Sequence, residues 1–256
     1  MKVFYLEAGT NHFGKVKEAN EILNFFLNSN FQNLTFMIQT EDFYINFAKK
    51  KRINFKLSKA FYAQAIKKCH AKKKKIGLAV CSVRTCEEIL KLNFDFYKLL
   101  SLGINNFKLI DLLKTKKKPI YISTGVNVKN HNIRKCLKSF SKKNDLTLLH
   151  APMTYNPNEI NFTKITELKK KYKLKVGYSN HNNDINSINV LSAYKPDAIF
   201  VYCKPKRKKG RVYTDDGHAF YFDELEKMLD DYDKYNQMNL KLREIKKINI
   251  FPDVKI

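Results

Sequence analysis

The sequence predicts a single (β/α)8 TIM barrel. Short runs rich in β-branched and aromatic residues recur at even spacing, and segments of helical period separate most of them. Eight such units favour a closed parallel barrel over an open doubly wound sheet. No G-x-G-x-x-G follows the first run, which counts against a dinucleotide fold.

The first strand is "VFYLEAG" (3–9), and the amphipathic "KVKEANEILNFFLN" after it is its helix. "LTFMIQT" (34–40) leads to "LSKAFYAQAIKKCHAKK", and "IGLAVCS" (76–82) to "TCEEILKL". "FYKLLS" (96–101) precedes "NFKLIDLLKT", and "PIYISTG" (119–125) precedes "NIRKCLKSFSKK". "LTLLHAP" (146–152) is followed by "NFTKITELKKKY", "KVGYSNH" (175–181) by "INSINVLSAY", and "AIFVYCKP" (198–205) by "FDELEKMLDDYDKY". With no linker, low-complexity tract or internal boundary, residues 1–256 read as one domain whose barrel core runs over about 3–236.

A chain of 256 residues with 44% apolar content can bury a substantial core. Its 49 Lys and Arg against 24 Asp and Glu give +25, a balance compatible with nucleic acid, anionic membrane or a phosphorylated substrate. Most of the excess lies in lysine runs such as "KKCHAKKKK", "KTKKK" and "KPKRKKGR", which read as solvated loops in a lysine-biased composition. No nucleic-acid signature accompanies them. The five cysteines lack any CxxC or zinc spacing, and no segment approaches the roughly 20 apolar residues of a membrane span. With no secretory leader, the expected location is cytoplasmic.

In a barrel of this kind the site forms at the C-terminal ends of the strands. Nearly every strand here ends in polar residues: Glu7, Asn11 and His12; Gln39; Ser82; Lys98 and Ser101; Ser123 and Thr124; His150 and Tyr155; Ser179, Asn180 and His181; Cys203 and Lys204. Each alone has a structural explanation. Ser123 and Thr124, for instance, could cap the fifth helix. Their coincidence on one rim is what points to a functional site.

These residues also resemble a family. "LEAGTNHFG" is similar to the opening E-x-G-x-N-H-x-G of the sialic acid synthases, and "FMIQT" to their K-F-Q strand. "FYKLLSLGINNFKLI" resembles Y-K-I-x-S-x-E-x-x-N-x-x-L-I, and "KKPIYISTGVN" resembles K-P-x-x-x-S-T-G-M. "LLHAPMTYNP" and "VGYSNH" continue the order, so that the likeness spans roughly residues 5 to 230. The resemblance implies condensation of phosphoenolpyruvate with the open-chain aldehyde of an N-acetylated hexosamine, assisted by Mn2+ or Mg2+. It implies catalytic roles for Glu7, Lys98 and Tyr155, with Asn11, His12, Gln39, Ser82, Ser101, Ser123, Thr124, Ser179 and Lys204 binding substrate. His181 would be the metal ligand. The implied partners are small molecules, phosphoenolpyruvate and an amino sugar, with no membrane and no nucleic acid; a homodimer stays open.

The chain departs from the family pattern at Met37, Gly103 and Met153, where a lysine, a glutamate and an asparagine are expected. Lys204 replaces a metal-binding histidine, and an ammonium repels a divalent cation. Asp215 or Asp216, beside His218, would substitute for an aspartate of the family. The chain also ends soon after the eighth helix, so the family's small antifreeze-like domain is expected to be missing. Two functions follow: a divergent synthase-like enzyme, or a catalytically impaired barrel that partners a full-length synthase.

Overall fold

A computed structural model describes residues 3–125, 128–205 and 212–245. Positions 126–127 of "STGVN" and 206–211 of the expected "KPKRKKGR" loop lie outside the described residues. Eight parallel strands run in sequence order around a closed barrel: β1 (Phe4–Glu7), β2 (Asn33–Met37), β3 (Lys75–Val80), β4 (Phe96–Leu99), β5 (Ile120–Ser123), β6 (Leu146–His150), β7 (Lys175–Ser179) and β8 (Ile199–Lys204). β1 closes the ring on β8, with Phe4 opposite Ile199 and Glu7 opposite Tyr202.

The helices between the strands are α1 (Val16–Asn28), α2 (Lys59–Ala71), α3 (Val83–Leu90), α4 (Phe107–Thr115), α5 (Asn130–Lys138), α6 (Thr163–Tyr172) and α7 (Ser187–Tyr194). Side-chain caps fix two of their starts, Ser58 on the Phe61 amide and Asn106 on the Leu109 amide. The last helix, α8 (Phe222–Ile245), runs past the end of the periodic stretch "FDELEKMLDDYDKY". The expected cap on α5 is absent, because that helix starts at Asn130 and the Thr124 hydroxyl donates instead to the Leu149 carbonyl at 2.8 Å.

A ninth strand, β9 (Ala219–Tyr221), was not expected from the sequence. Tyr202 pairs with Glu7 on one side and Ala219 on the other, while β7 has already ended opposite Phe200. The upper edge of β8 would otherwise carry unpaired amides, and three residues of the returning chain cover it.

Strand periodicity sorts the side chains into two cores. Phe4, Leu6, Leu34, Phe36, Leu78, Leu99, Ile122 and Val201 face the helices. Tyr5, Phe96, Tyr121, Leu149 and Phe200 face inward and plug the barrel floor. The Tyr5 and Tyr121 hydroxyls bond to each other, and Phe200 stacks on Tyr5 with ring centroids 4.5 Å apart. Gly77 completes this layer: a Cβ there would lie 2.2 Å from the Phe96 ring. The floor is a close-packed plug, as barrels of this size require.

All five cysteines are free and buried. No described helix is long and apolar enough to cross a membrane.

Candidate active site

Two residues above the aromatic floor, the inward positions turn polar. Lys98 of β4 reaches across the axis and donates to both Glu7 carboxylate oxygens at 2.7 Å and to the Ser179 hydroxyl at 3.0 Å. Its ammonium also lies 4.6 Å from the centre of the Phe200 ring. Glu7 and Lys98 are each 1% exposed, so water screens neither charge. Burial is the largest influence on both, pushing the Glu7 carboxyl up and the Lys98 ammonium down, while their pairing opposes each shift.

Above this pair opens a cavity of about 140 Å³ lined by Met37, Gln39, Lys98, Leu100, Ser101, Leu102, Ser123, Ala151, Met153, His181 and Tyr202. Five of the sequence-derived candidates, Gln39, Lys98, Ser101, Ser123 and His181, meet there. Glu7 and Ser179 lie directly behind Lys98. Two of the departures, Met37 and Met153, also line the space, and the Met37 sulfur takes up the Gln39 amide. The third departure is built into the packing: a Cβ on Gly103 would lie 2.9 Å from the Cys81 backbone.

His181 leaves β7 with Nδ1 3.1 Å from the Ser179 carbonyl. Its ring sits 5.2 Å from that of His218 and 5.7 Å from that of Tyr202. His218 arrives on the 212–218 turn, with Tyr202 edge-on at 4.6 Å and Tyr155 stacked at 5.9 Å. Burial lowers the His218 imidazole to about 4, with Lys98 and Lys204 adding to the effect. Burial likewise sets His181 well below its ordinary value, helped by His218 and Lys98.

The turn is pinned to the loop after β1. The Thr10 amide donates to Asp215, the Asp215 amide donates to the Asn11 side chain, and the Asn11 amide group donates to the Cys203 carbonyl. Gly9, at φ +53°, leaves the room Asp215 occupies, since a Cβ would lie 2.2 Å from its carboxylate. Burial raises Asp215 to about 6.

Several candidates fall elsewhere. His150 is at the correct end of β6 but faces outward, lining a groove with Thr124, Lys129 and Lys164, because only alternate strand residues point down the axis. Cys203 faces the helices for the same reason. His12 is fully buried against Phe36, its Nδ1 accepting from the Gly14 amide. Ser82 precedes α3, where its carbonyl accepts from Thr85 and Cys86. Asn11 spends its amide oxygen on the turn and its NH2 on the Cys203 carbonyl of β8, and Asn180 bonds to Asn182. Lys204 points inward but is held by Asp216, 2.7 Å from its carboxylate. Tyr155 stands on the rim, 59% exposed. Sequence reasoning missed Phe200 and Tyr202, which strand parity on β8 would have found.

A divalent cation would need more donors than this mouth gathers. Among the described residues, no three His, Cys, Asp or Glu side chains come together where they could hold a metal ion. His181 and His218 are near each other, but Asp216 is engaged by Lys204 and Asp215 by Thr10. The His218 Nδ1 is buried without a hydrogen-bond partner, yet two imidazoles with no third donor among the described residues are too few to fit a resident metal.

A model described as "NeuB family" matches residues 16–241 of the chain. The N,N'-diacetyllegionaminic acid synthase of Campylobacter jejuni subsp. jejuni serotype O:2 is 26% identical over 211 residues, 70% of this chain and 60% of that protein. The pseudaminic acid synthase of the same organism is 32% identical over 89 residues, 34% of this chain and 26% of that one. The match thus spans less than two thirds of either relative. Among solved structures, the N-acetylneuraminic acid synthetase of Leptospira borgpetersenii serovar Hardjo-bovis superposes with a TM-score of 0.83 at 18% identity, covering 98% of this chain and 92% of that one. That likeness concerns the fold.

Proposed function

Because the chain belongs to the NeuB family, we propose that it is a divergent synthase-like transferase that joins phosphoenolpyruvate to a sugar aldehyde in nonulosonic acid synthesis. The observation that carries this reading is Lys98. An ammonium at the base of a 140 Å³ cavity, with the hydroxyls of Ser101 and Ser123 on its walls, suits a small acid carrying phosphate and carboxylate. That space is small for a ligand pocket, so the second substrate would lie on the rim between Leu102, Met153 and Tyr155.

In the reaction, C3 of phosphoenolpyruvate bonds to the aldehyde carbon and the aldehyde oxygen takes a proton. Water adds at C2, one of its protons restoring the acid and the other leaving with phosphate as the C2–O bond to phosphate breaks and the C2 carbonyl forms. In this reading Glu7 is the acid that gives the aldehyde oxygen its proton, its carboxyl pushed up by burial against the opposing pull of Lys98.

One observation favours the second function, an impaired barrel that partners a full-length synthase. All three Lys98 N–H groups are already committed, to the two Glu7 oxygens and Ser179. Titration with phosphoenolpyruvate separates the two. Wild type should bind it, and Lys98→Ala should bind about ten- to a hundredfold more weakly, since a charge-assisted bond contributes roughly 1.5–3 kcal/mol. Phosphate release over a panel of N-acetylated hexosamines should be poor with N-acetylmannosamine, for Gly103 and Met153 offer that substrate no polar side-chain group. Equal anion affinity in the two proteins defeats the reading, and no binding to either favours the impaired barrel.

A further inference from the structure

We propose that this mouth takes its anion without a divalent cation, the positive charge coming from two lysine ammonium groups, Lys98 below and Lys204 beside it. The inference rests on the anion-binding reading above and deepens it.

Lys204 is the last inward residue of β8 and is 7% exposed. Its Nζ is 2.7 Å from the Asp216 carboxylate and 3.2 Å from the Asp216 carbonyl, and it lies 4.4 Å from the centre of the Tyr221 ring. Three partners therefore hold the ammonium where it is. Swinging it aside would leave the Asp216 carboxylate without its counter-charge.

The imidazoles are too few to hold a cation. His181 places Nδ1 3.1 Å from the Ser179 carbonyl, a contact that would orient a ligating ring as readily as occupy it, so the number of donors decides: among the described residues no third His, Cys, Asp or Glu gathers with the two rings. His218 is covered by Tyr155 on one side and meets the Tyr202 ring on another. A cation between the rings would have to compete with two ammonium groups for the carboxylates that already hold them, Glu7 on Lys98 and Asp216 on Lys204. The Lys204–Asp216 pair has a second consequence. It anchors the turn that presents His218, so the lysine is a positioning residue for the rim as well as a source of charge.

The test is Mn2+ binding, read from the electron paramagnetic resonance of free Mn2+, alongside phosphoenolpyruvate titration with and without a chelator. Wild type should bind no Mn2+ up to about 1 mM, the weak end of protein cation sites. Chelator should leave anion affinity unchanged. Lys204→His should gain Mn2+ affinity of at least tenfold, with Lys204→Gln serving if the histidine variant does not fold. Micromolar Mn2+ binding by wild type that disappears in His181→Ala or His218→Ala overturns the proposal, as does anion binding that chelator abolishes. A Lys204→His protein that folds and gains nothing overturns the role given to Lys204. If wild type fails to bind phosphoenolpyruvate, the anion-binding reading falls, and the Mn2+ titration still decides between a metal-binding and a metal-free mouth.

Discussion

Tyr5 and Glu7 are two residues apart on β1 and both point down the barrel axis, yet Tyr5 joins a cluster of aromatic rings while Glu7 meets an ammonium. The same step separates Phe96 from Lys98 on β4 and Tyr121 from Ser123 on β5. Backbone geometry is shared, so the difference lies in side-chain chemistry alone. The floor gains from burial and interlocking shape. The mouth holds a buried ion pair, an arrangement that well-packed apolar side chains commonly match or exceed in stability. A charged layer directly above an apolar one is therefore not what folding alone favours, and the proposed function would give it a reason.

Double substitution breaks the comparison most sharply. Phe96→Ala removes a floor ring and should cost about 3–5 kcal/mol. Lys98→Met strands the Glu7 carboxylate and should cost about as much, roughly 3–5 kcal/mol. The two layers should part in the second step. Glu7→Leu added to Lys98→Met removes the stranded charge and should restore most of the loss, whereas Tyr5→Ala added to Phe96→Ala should deepen it. Urea unfolding of wild type and the four variants measures this, and a mouth double variant no more stable than Lys98→Met would show that the pair itself holds the barrel together.

Acid and alkali should also reach the two regions differently. Burial holds His12 at about 4 against an ordinary 6.5. A base whose folded value is depressed contributes stability that is present above pH 6.5 and is lost as pH falls through about 4. His150 and His218 are lowered to about 4 in the same way. Asp215 works in the opposite sense: raised to about 6, it favours the folded state as pH falls from about 6 towards 4. His181 is lowered as well and adds to the loss, while Glu7, raised like Asp215, offsets part of it; four histidines against two carboxyls leave a net loss between pH 6.5 and 4. For fully buried His12 alone the shift corresponds to roughly 3 kcal/mol. The floor titrates only in alkali, where burial raises Tyr5 and Tyr121 and their ionisation opposes folding. His12→Gln should flatten the acid limb of stability against pH and leave the alkaline limb alone; an unchanged acid limb would remove His12 from the account.

The strands and their order were legible because a buried parallel strand is written as a short continuous apolar run, and each run lies within a few residues of its strand. Which side chains enter the mouth was only half legible. Runs such as "STG" and "SNH" offer consecutive polar residues, but the pleat admits alternate ones, so Ser123 enters while Thr124 turns outward. The outward positions of His150 and Cys203 follow from the same parity. His12 and Asn11 belong to a loop whose shape depends on Asp215, about two hundred residues away, and no local pattern carries that contact. β9 was hidden for a similar reason: three residues fill an edge that exists only because β7 ends early.

The smallest expected effect concerns Tyr155. The residue is 59% exposed and contributes chiefly a ring stacked on His218, a contact worth about 0.5–1.5 kcal/mol. Tyr155→Ala should therefore lower Tm by only a few degrees, about 2–4 °C per kcal/mol in a chain of this size. Its informative consequence is local. Burial is the first cause of the low His218 value, and Tyr155 covers part of that ring, so removing the cover should move the His218 imidazole upward from about 4. His150, lowered chiefly by its own burial on the outer face of β6, should stay where it is. Imidazole proton resonances followed through pH 3 to 8, a range set by the ordinary histidine value and its buried extremes, read both residues in one experiment. Movement of His218 alone would show that the rim of the mouth is closed by an exposed ring while the floor is closed by buried ones; no movement, or equal movement of both, would leave the stack without a part in shaping the site.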